Sequence, residues 1–393
     1  MDEVSGSELV TGTCEPAFEN VRRALEVNLA AGDDVGASAA VMVDGHLVAD
    51  VWGGHLDEER TRPWERDTII NLWSTTKTMA ALSLLLLVDR GDVDVDAPVA
   101  SYWPEFAAGG KEGVLVRHVL SHTAGLPGWD EPVTPADLYD WERCTTLLAD
   151  QAPWWEPGTA SGYHAVTQAY LVGEIVRRVT GATLGTFFRD ELAAPLGADV
   201  HIGLDPVHDH RVTSVIPPPR PPRGPRRDPA SFQVRVFGNP LILARQSDET
   251  AWRRAEIPAA NGIGNARSVA LVQSVLACGG ELRGRRFLSE ATCDVVFRQQ
   301  CDGRDLVIGT PFRHGIGYGL PPAPSGRRCY WGGWGGSLAW IDLDARLCVA
   351  FVMNRMLAEG LVDGRAQRIV DASYEALGHE APPGRPSPLD RSR

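Results

Sequence analysis

Strand-like and helical patterns are segregated along this chain, and that segregation constrains the fold more than any other feature. Near the start, Ala37–Val43 and His46–Trp52 flank Asp44-Gly45, a strong hairpin signal. Near the end, Ser337–Asp342 and Arg346–Met353 flank a turn at Leu343-Asp344. Helical spacing fills the remainder. Phe18, Val21, Leu25 and Leu29 form one stripe, a long helix should run from Ser74 to Asp89 and stop at Gly91, and Ala165–Thr180 is closed by Gly181. Further helices fit Ser268–Cys278 and Asp363–Leu377. Strands at both ends with helices between them predict an α/β (α+β) fold. Its antiparallel sheet is assembled from both termini, flanked by N- and C-terminal helices, and interrupted by an inserted, mainly helical domain. The expected division is 15–90 with 265–380 for the sheet domain and 91–264 for the insert, with flexible tails at 1–14 and 381–393. Ile216–Pro229 is rich in Pro and Arg, cannot be a helix or central strand, and is expected to be an exposed crossing loop.

Composition narrows the function. The net charge of −13 argues against a general nucleic-acid binder. Seven scattered cysteines without a C-x-x-C pair point to reduced, mostly buried thiols rather than a disulfide framework or zinc site. No run of about 18 apolar residues exists, so no membrane span is expected. The acidic N-terminus lacks the apolar core of a signal peptide, and a cytoplasmic location is the expectation. Of 38 Lys and Arg residues only two are lysine, Lys77 and Lys111, so each lysine position carries unusual information.

Three segments carry chemistry. Ser74-x-x-Lys77 opens the long helix, and positions three apart share a helical face. A serine hydroxyl is a weak nucleophile until a base takes its proton, and a desolvated lysine can be that base. An N-capping serine and a solvated lysine would give the same spacing, but an apolar run follows Lys77 directly. In the second segment, a Pro-Gly turn and small residues deliver Tyr163-His164 to the head of the Ala165–Thr180 helix, where a phenol could relay a proton. The third, Trp331-Gly-Gly-Trp-Gly-Gly-Ser337, lets backbone approach a ligand closely and could offer an N–H to an oxyanion. His118-x-x-x-His122 has ligand spacing, but no glutamate follows His118, and neither a metal nor a cofactor is expected.

Together these segments resemble the serine β-lactamase and penicillin-binding-protein superfamily, with class C β-lactamases and family VIII carboxylesterases the best likeness. Val116–Leu126, Leu171–Gly181, Ala259–Arg267 and Val352–Met356 add matching text in the same order. The resemblance implies that Ser74 is the acylated nucleophile, Lys77 its base and Tyr163 a proton relay. It implies an oxyanion hole from the backbone N–H groups of Ser74 and Trp334. Trp331, Gly332 and Gly333 would occupy the place of the third motif and, with His164, would bind substrate. Two departures bear on the substrate. His164-Ala165 stands where the superfamily commonly has x-Asn, and Trp331 replaces a lysine associated with carboxylate recognition. A cofactor-free hydrolase of small-molecule esters is therefore expected. The alternatives are a transacylase, then weak β-lactamase or peptidase activity, then a non-catalytic binding protein. Trp129, Trp154, Trp155, Trp331 and Trp334 are candidates for an aromatic cleft.

Overall fold

A computed structural model describes residues 9–218, 228–358 and 363–379. Six strands, β1 (Val10–Cys14), β2 (Gly36–Val43), β3 (His46–Gly54), β4 (Arg328–Gly332), β5 (Leu338–Asp342) and β6 (Leu347–Met353), form one antiparallel sheet. Their order is β1-β3-β2-β6-β5-β4. The two ends of the chain meet where β2 pairs with β6, Val43 opposite Leu347 and Ala37 opposite Met353. Asp44 and Gly45 both have positive φ, 50° and 76°, the turn geometry whose twist matches a two-residue hairpin.

The principal helices are α1 (Glu19–Ala30), α2 (Thr76–Asp89), α3 (Trp141–Asp150), α4 (Thr167–Thr180), α5 (Ala266–Ala277) and α6 (Gly364–Ala376). β5 and β6 are buried at every position and β2 at all but its last, so both faces of the sheet centre are covered. α1 and α6 pack on one another and on the sheet, while α5 lies along β2, β5 and β6. Asp363 caps α6 by accepting from the N–H groups of Arg365 and Ala366. Gly181, with φ of 76°, ends α4 as the sequence predicts.

α2 is apolar all round, and every residue from Thr76 to Leu87 is buried. Each of its fully buried leucines contributes about 1.5–3 kcal/mol. The α-helix proper begins at Thr76, and Trp73–Thr75 forms a 3-10 turn ahead of it, so Ser74 sits on a fixed base rather than a mobile loop.

Val10–Cys14 corrects an expectation. Placed in a loose tail by sequence, it is instead the edge strand β1, with Val10 opposite Gly53 and Cys14 opposite Ala49. Gly12 masks the strand pattern, and it is needed there because a Cβ would meet the Asp50 carbonyl at 2.1 Å. The expected tail 381–393 and most of the expected loop 216–229 lie outside the described residues. All seven cysteines are free thiols, with Cys14 and Cys301 half-buried and the others buried. Among the described residues no helix is long and apolar enough to cross a membrane.

Candidate active site

The site begins where the short strand Ile70–Asn71, paired with Gly262–Gly264, runs into the turn that carries Ser74. Trp73 adopts a left-handed φ of 49°, a conformation that costs a bulky residue about 1–2 kcal/mol. Its surroundings hold it there. Its ring sits edge-on to Trp334 at 4.9 Å and tilted to Trp252 at 5.7 Å. On the backbone, Leu72 N–H donates to Gly262 O at 2.7 Å, and Gly262 N–H donates to Thr76 Oγ1 at 2.9 Å. A side chain at 262 would collide with Thr76, which is why glycine is required at this crossing.

Lys77 Nζ lies 3.0 Å from Ser74 Oγ, 2.8 Å from Ala165 O and 2.9 Å from Ala259 O. The residue is 2 % exposed, and burial alone drives its ammonium well below the ordinary lysine range. A neutral amine has two N–H groups and one lone pair. The two carbonyls can only accept, so they take the two N–H groups, and the lone pair is left facing the Ser74 hydroxyl. Tyr163 Oη approaches Ser74 Oγ from another side at 2.5 Å. Burial pushes the phenol upward, with the Ser74 hydroxyl and the Trp331 indole pulling the other way. Tyr163 therefore keeps its proton and donates to Ser74 Oγ, which leaves the serine proton free to point to Lys77 when that amine is neutral.

Tyr163 is fixed from behind. Asp305 Oδ1 accepts from the N–H groups of Tyr163, Val307 and Ile308 at 3.1, 2.9 and 3.0 Å. Asp305 Oδ2 lies 3.5 Å from His314 Nε2. Burial raises the Asp305 carboxyl, but the His314 contact and the backbone N–H groups outweigh it and hold the pKa low. His122 packs edge-on to Tyr163 at 5.2 Å and stacks on Trp331 at 5.1 Å.

The glycine-rich segment closes the third side. Gly332 pairs with Leu338 in the sheet, and Gly333 N–H donates to Ser337 O. Gly333 lies so close to the serine turn that a Cβ would meet Leu72 O at 2.3 Å. On the far side, Arg365 donates to Gly335 O at 2.5 Å and is itself held by Asp34 and Asp363. Among the described residues, the backbone N–H groups of Ser74 and Trp334 have no protein acceptor.

A family model described as Beta-lactamase matches residues 21–374. This chain belongs to the beta-lactamase family. The Esterase/beta-lactamase LipL of Mycobacterium tuberculosis (strain ATCC 25618 / H37Rv) is 36% identical over 365 residues, covering 89% of this chain and 84% of that protein. The crystal structure of a family VIII carboxylesterase superposes with a TM-score of 0.88 at 42% identity, covering 93% of this chain and 99% of the other. A penicillin-binding-protein homologue from Caulobacter crescentus gives the same TM-score and the same coverage at 38% identity. The beta-lactamase family is one of serine hydrolases, and the chain is an enzyme of that kind.

Within this beta-lactamase-family frame, Ser74, Lys77 and Tyr163 come together as one cluster. Among the other expected residues, His164, Trp331 and Trp129 are buried, whereas Trp154, Trp155 and Trp334 keep some exposure. His164 is fully buried, its Nε2 accepting from Leu126 N–H and its Nδ1 facing Gly162 O, so neither nitrogen is left for substrate. Trp331 is 1 % exposed and packs behind Tyr163 among His122, Phe312 and His314. Trp129 is core, its indole N–H donating to Cys144 O. Trp154 and Trp155 are half-buried around Phe232, and Trp334 is 38 % exposed. His118 accepts from Leu115 N–H, and His122 accepts from His164 N–H. The sequence reading missed the Ala165 and Ala259 carbonyls, Asp305 and Ser337. Of these only the Ala259 carbonyl has a side-chain marker beside it: Asn261 ties that loop by accepting from Ile257 N–H and donating to Trp252 O and Ala255 O.

Proposed function

We propose that the chain hydrolyses carboxylic esters through an acyl-enzyme on Ser74. The observation that carries this reading is Ser74 Oγ held between the Lys77 amine and the Tyr163 phenol. Neutral Lys77 takes the serine proton as Oγ bonds to the ester carbonyl carbon. The N–H groups of Ser74 and Trp334 receive the oxyanion. As the carbonyl carbon–oxygen bond to the alcohol breaks, Tyr163 gives its proton to the departing oxygen, and the Lys77 ammonium restores the phenol. Water then adds to the acyl carbon as its proton passes to the same pair, and the bond from that carbon to Ser74 Oγ breaks as the pair returns the proton to Oγ and the acid is released.

An uncharged ester fits better than a penicillin. The position of the third-motif lysine is filled by Trp331, whose buried indole cannot pair with a carboxylate by charge. The name of the family VIII carboxylesterase, 42% identical to this chain, supports the same choice, whereas that of LipL carries both activities. The test is mass spectrometry after a fluorophosphonate probe, beside turnover of p-nitrophenyl butyrate. The expected result is one adduct on Ser74 and loss of both adduct and turnover in Ser74→Ala. Persistent turnover in Ser74→Ala overturns the reading. Rapid transfer to added alcohols with slow hydrolysis would instead assign the site to acyl transfer.

A further inference from the structure

The two segments that offer free N–H groups are far apart in sequence, yet an oxyanion hole works only when their separation is fixed to a fraction of an ångström. Three contacts join them at one point. Ser337 Oγ lies 2.8 Å from Leu72 O and 2.9 Å from Thr75 Oγ1, and Gly333 packs flush on both Leu72 O and Ser337 Oγ. Leu72 and Thr75 bracket the nucleophile, while Gly333 and Ser337 bracket Trp334. All of these groups are buried, so no water competes for the hydroxyls. The direction of the bonds follows from counting protons. A carbonyl only accepts, so the Ser337 proton goes to Leu72 O, and Thr75 must then donate to Ser337 Oγ.

We propose that Ser337 is a positioning residue for the reaction: its hydroxyl, through Leu72 O and Thr75 Oγ1, sets the distance between the N–H groups of Ser74 and Trp334. The proposal rests on the acyl-enzyme reading above. The Ser337 hydroxyl bonds Leu72 O and Thr75 Oγ1 and makes no hydrogen bond to Ser74, Lys77 or Tyr163. Removing the hydroxyl therefore loosens the oxyanion hole and leaves proton transfer intact. Arg365 on Gly335 O anchors the far side of the same loop, so the loop stays folded when Ser337 is changed.

The experiment compares the full-length wild type with Ser337→Ala and Thr75→Val. The readouts are kcat and KM for p-nitrophenyl butyrate, the pH dependence of kcat/KM, and inhibition by a trifluoromethyl ketone beside its non-fluorinated counterpart. In Ser337→Ala, kcat should fall about 10–100-fold with KM within about twofold. The trifluoromethyl ketone, which forms a tetrahedral adduct, should weaken by a similar factor while its counterpart does not. The acid limb of the pH profile should stay in place, because Lys77 sets it. Thr75→Val, which leaves Ser337 bonded to Leu72 O, should show a smaller loss in the same parameters. Wild-type kcat in Ser337→Ala overturns the proposal, and so does a loss that moves KM and the acid limb along with kcat. Should Ser337→Ala fail to fold, wild-type kcat and ketone affinity in Thr75→Val overturn it. Absence of a Ser74 adduct in the wild type is a different failure, since it removes the acyl-enzyme reading itself.

Discussion

The two lysines of this chain are both buried, and each holds three oxygen atoms, yet their surroundings ask for opposite charge states. Lys111 Nζ donates to Ala108 O at 2.6 Å, Ala149 O at 2.9 Å and Gln151 O. Two of these carbonyls lie at the C-terminal end of α3, where the helix dipole also favours a cation. Three acceptors need three donors, so this amine is kept as an ammonium. Burial lowers it only to about 8, with Asp150 pulling it back up. Lys77 has two carbonyls and a hydroxyl. A hydroxyl can donate, so the neutral amine is accommodated without an orphaned group. Burial lowers both lysines, but the hydrogen-bonding character of the third partner separates a structural cation from a base.

The largest effect that would break this comparison is catalytic. Lys77→Met should lower kcat/KM at least about 10³-fold, and combining it with Ser74→Ala should cost no more than either change alone, because the two act as a unit. Lys111→Met should do the opposite. It leaves three carbonyls without a donor and should destabilise the fold by about 2–4 kcal/mol in urea titrations, while kcat per folded molecule stays within about twofold. A Lys111 variant that folds normally but loses turnover would show that the two roles had been assigned the wrong way round.

Ser74-x-x-Lys77 and the Asp44-Gly45 hairpin are legible in the sequence because both are local: four consecutive residues at a helix start and two in one turn. The carbonyls that decide the state of Lys77 are not. They belong to alanines 88 and 182 residues away, and a carbonyl has no side-chain identity to read. Asp305 is equally silent, because its partner is the backbone of Tyr163, 142 residues distant. The burial of Trp331 and His164 is illegible for a related reason. Their motif position is local information, but whether a ring faces a cleft or a core is set by elements packed from elsewhere, here His122, Phe312 and Leu126. The fold class survived these gaps because strand and helix periodicity is repeated over whole elements.

The orientation of the serine proton gives a finer test of the comparison. If Tyr163 donates to Ser74 Oγ, the serine proton is left for Lys77, and removing the phenol relaxes that order. Tyr163→Phe should lower kcat about 10²-fold for alkyl esters, whose alkoxide must be protonated as it leaves. Loss for p-nitrophenyl esters should be much smaller, since that anion departs without a proton. Equal losses on both ester types would mean that Tyr163 serves serine activation rather than the leaving group, and the lone-pair assignment at Lys77 would fall with it.

The smallest effect is a shift along the pH axis, and it separates the two amines directly. Lys77 acts as a base only when neutral, so kcat/KM should fall about tenfold per unit as pH drops below its pKa. Because burial depresses that pKa, the acid limb should lie well below 10.5, and activity is gained, not lost, as pH rises through it. Lys111 releases its proton near 8. A limb centred there could arise from either lysine in a simple rate profile. Lys111→Met distinguishes them: the limb should keep its midpoint and its slope when Lys111 is absent, because no hydrogen bond connects the Lys111 amine to Ser74. A midpoint that moves in this variant would tie turnover to the amine below α3. The state of the third hydrogen-bond partner would then no longer explain why one buried lysine does chemistry and the other holds a helix end.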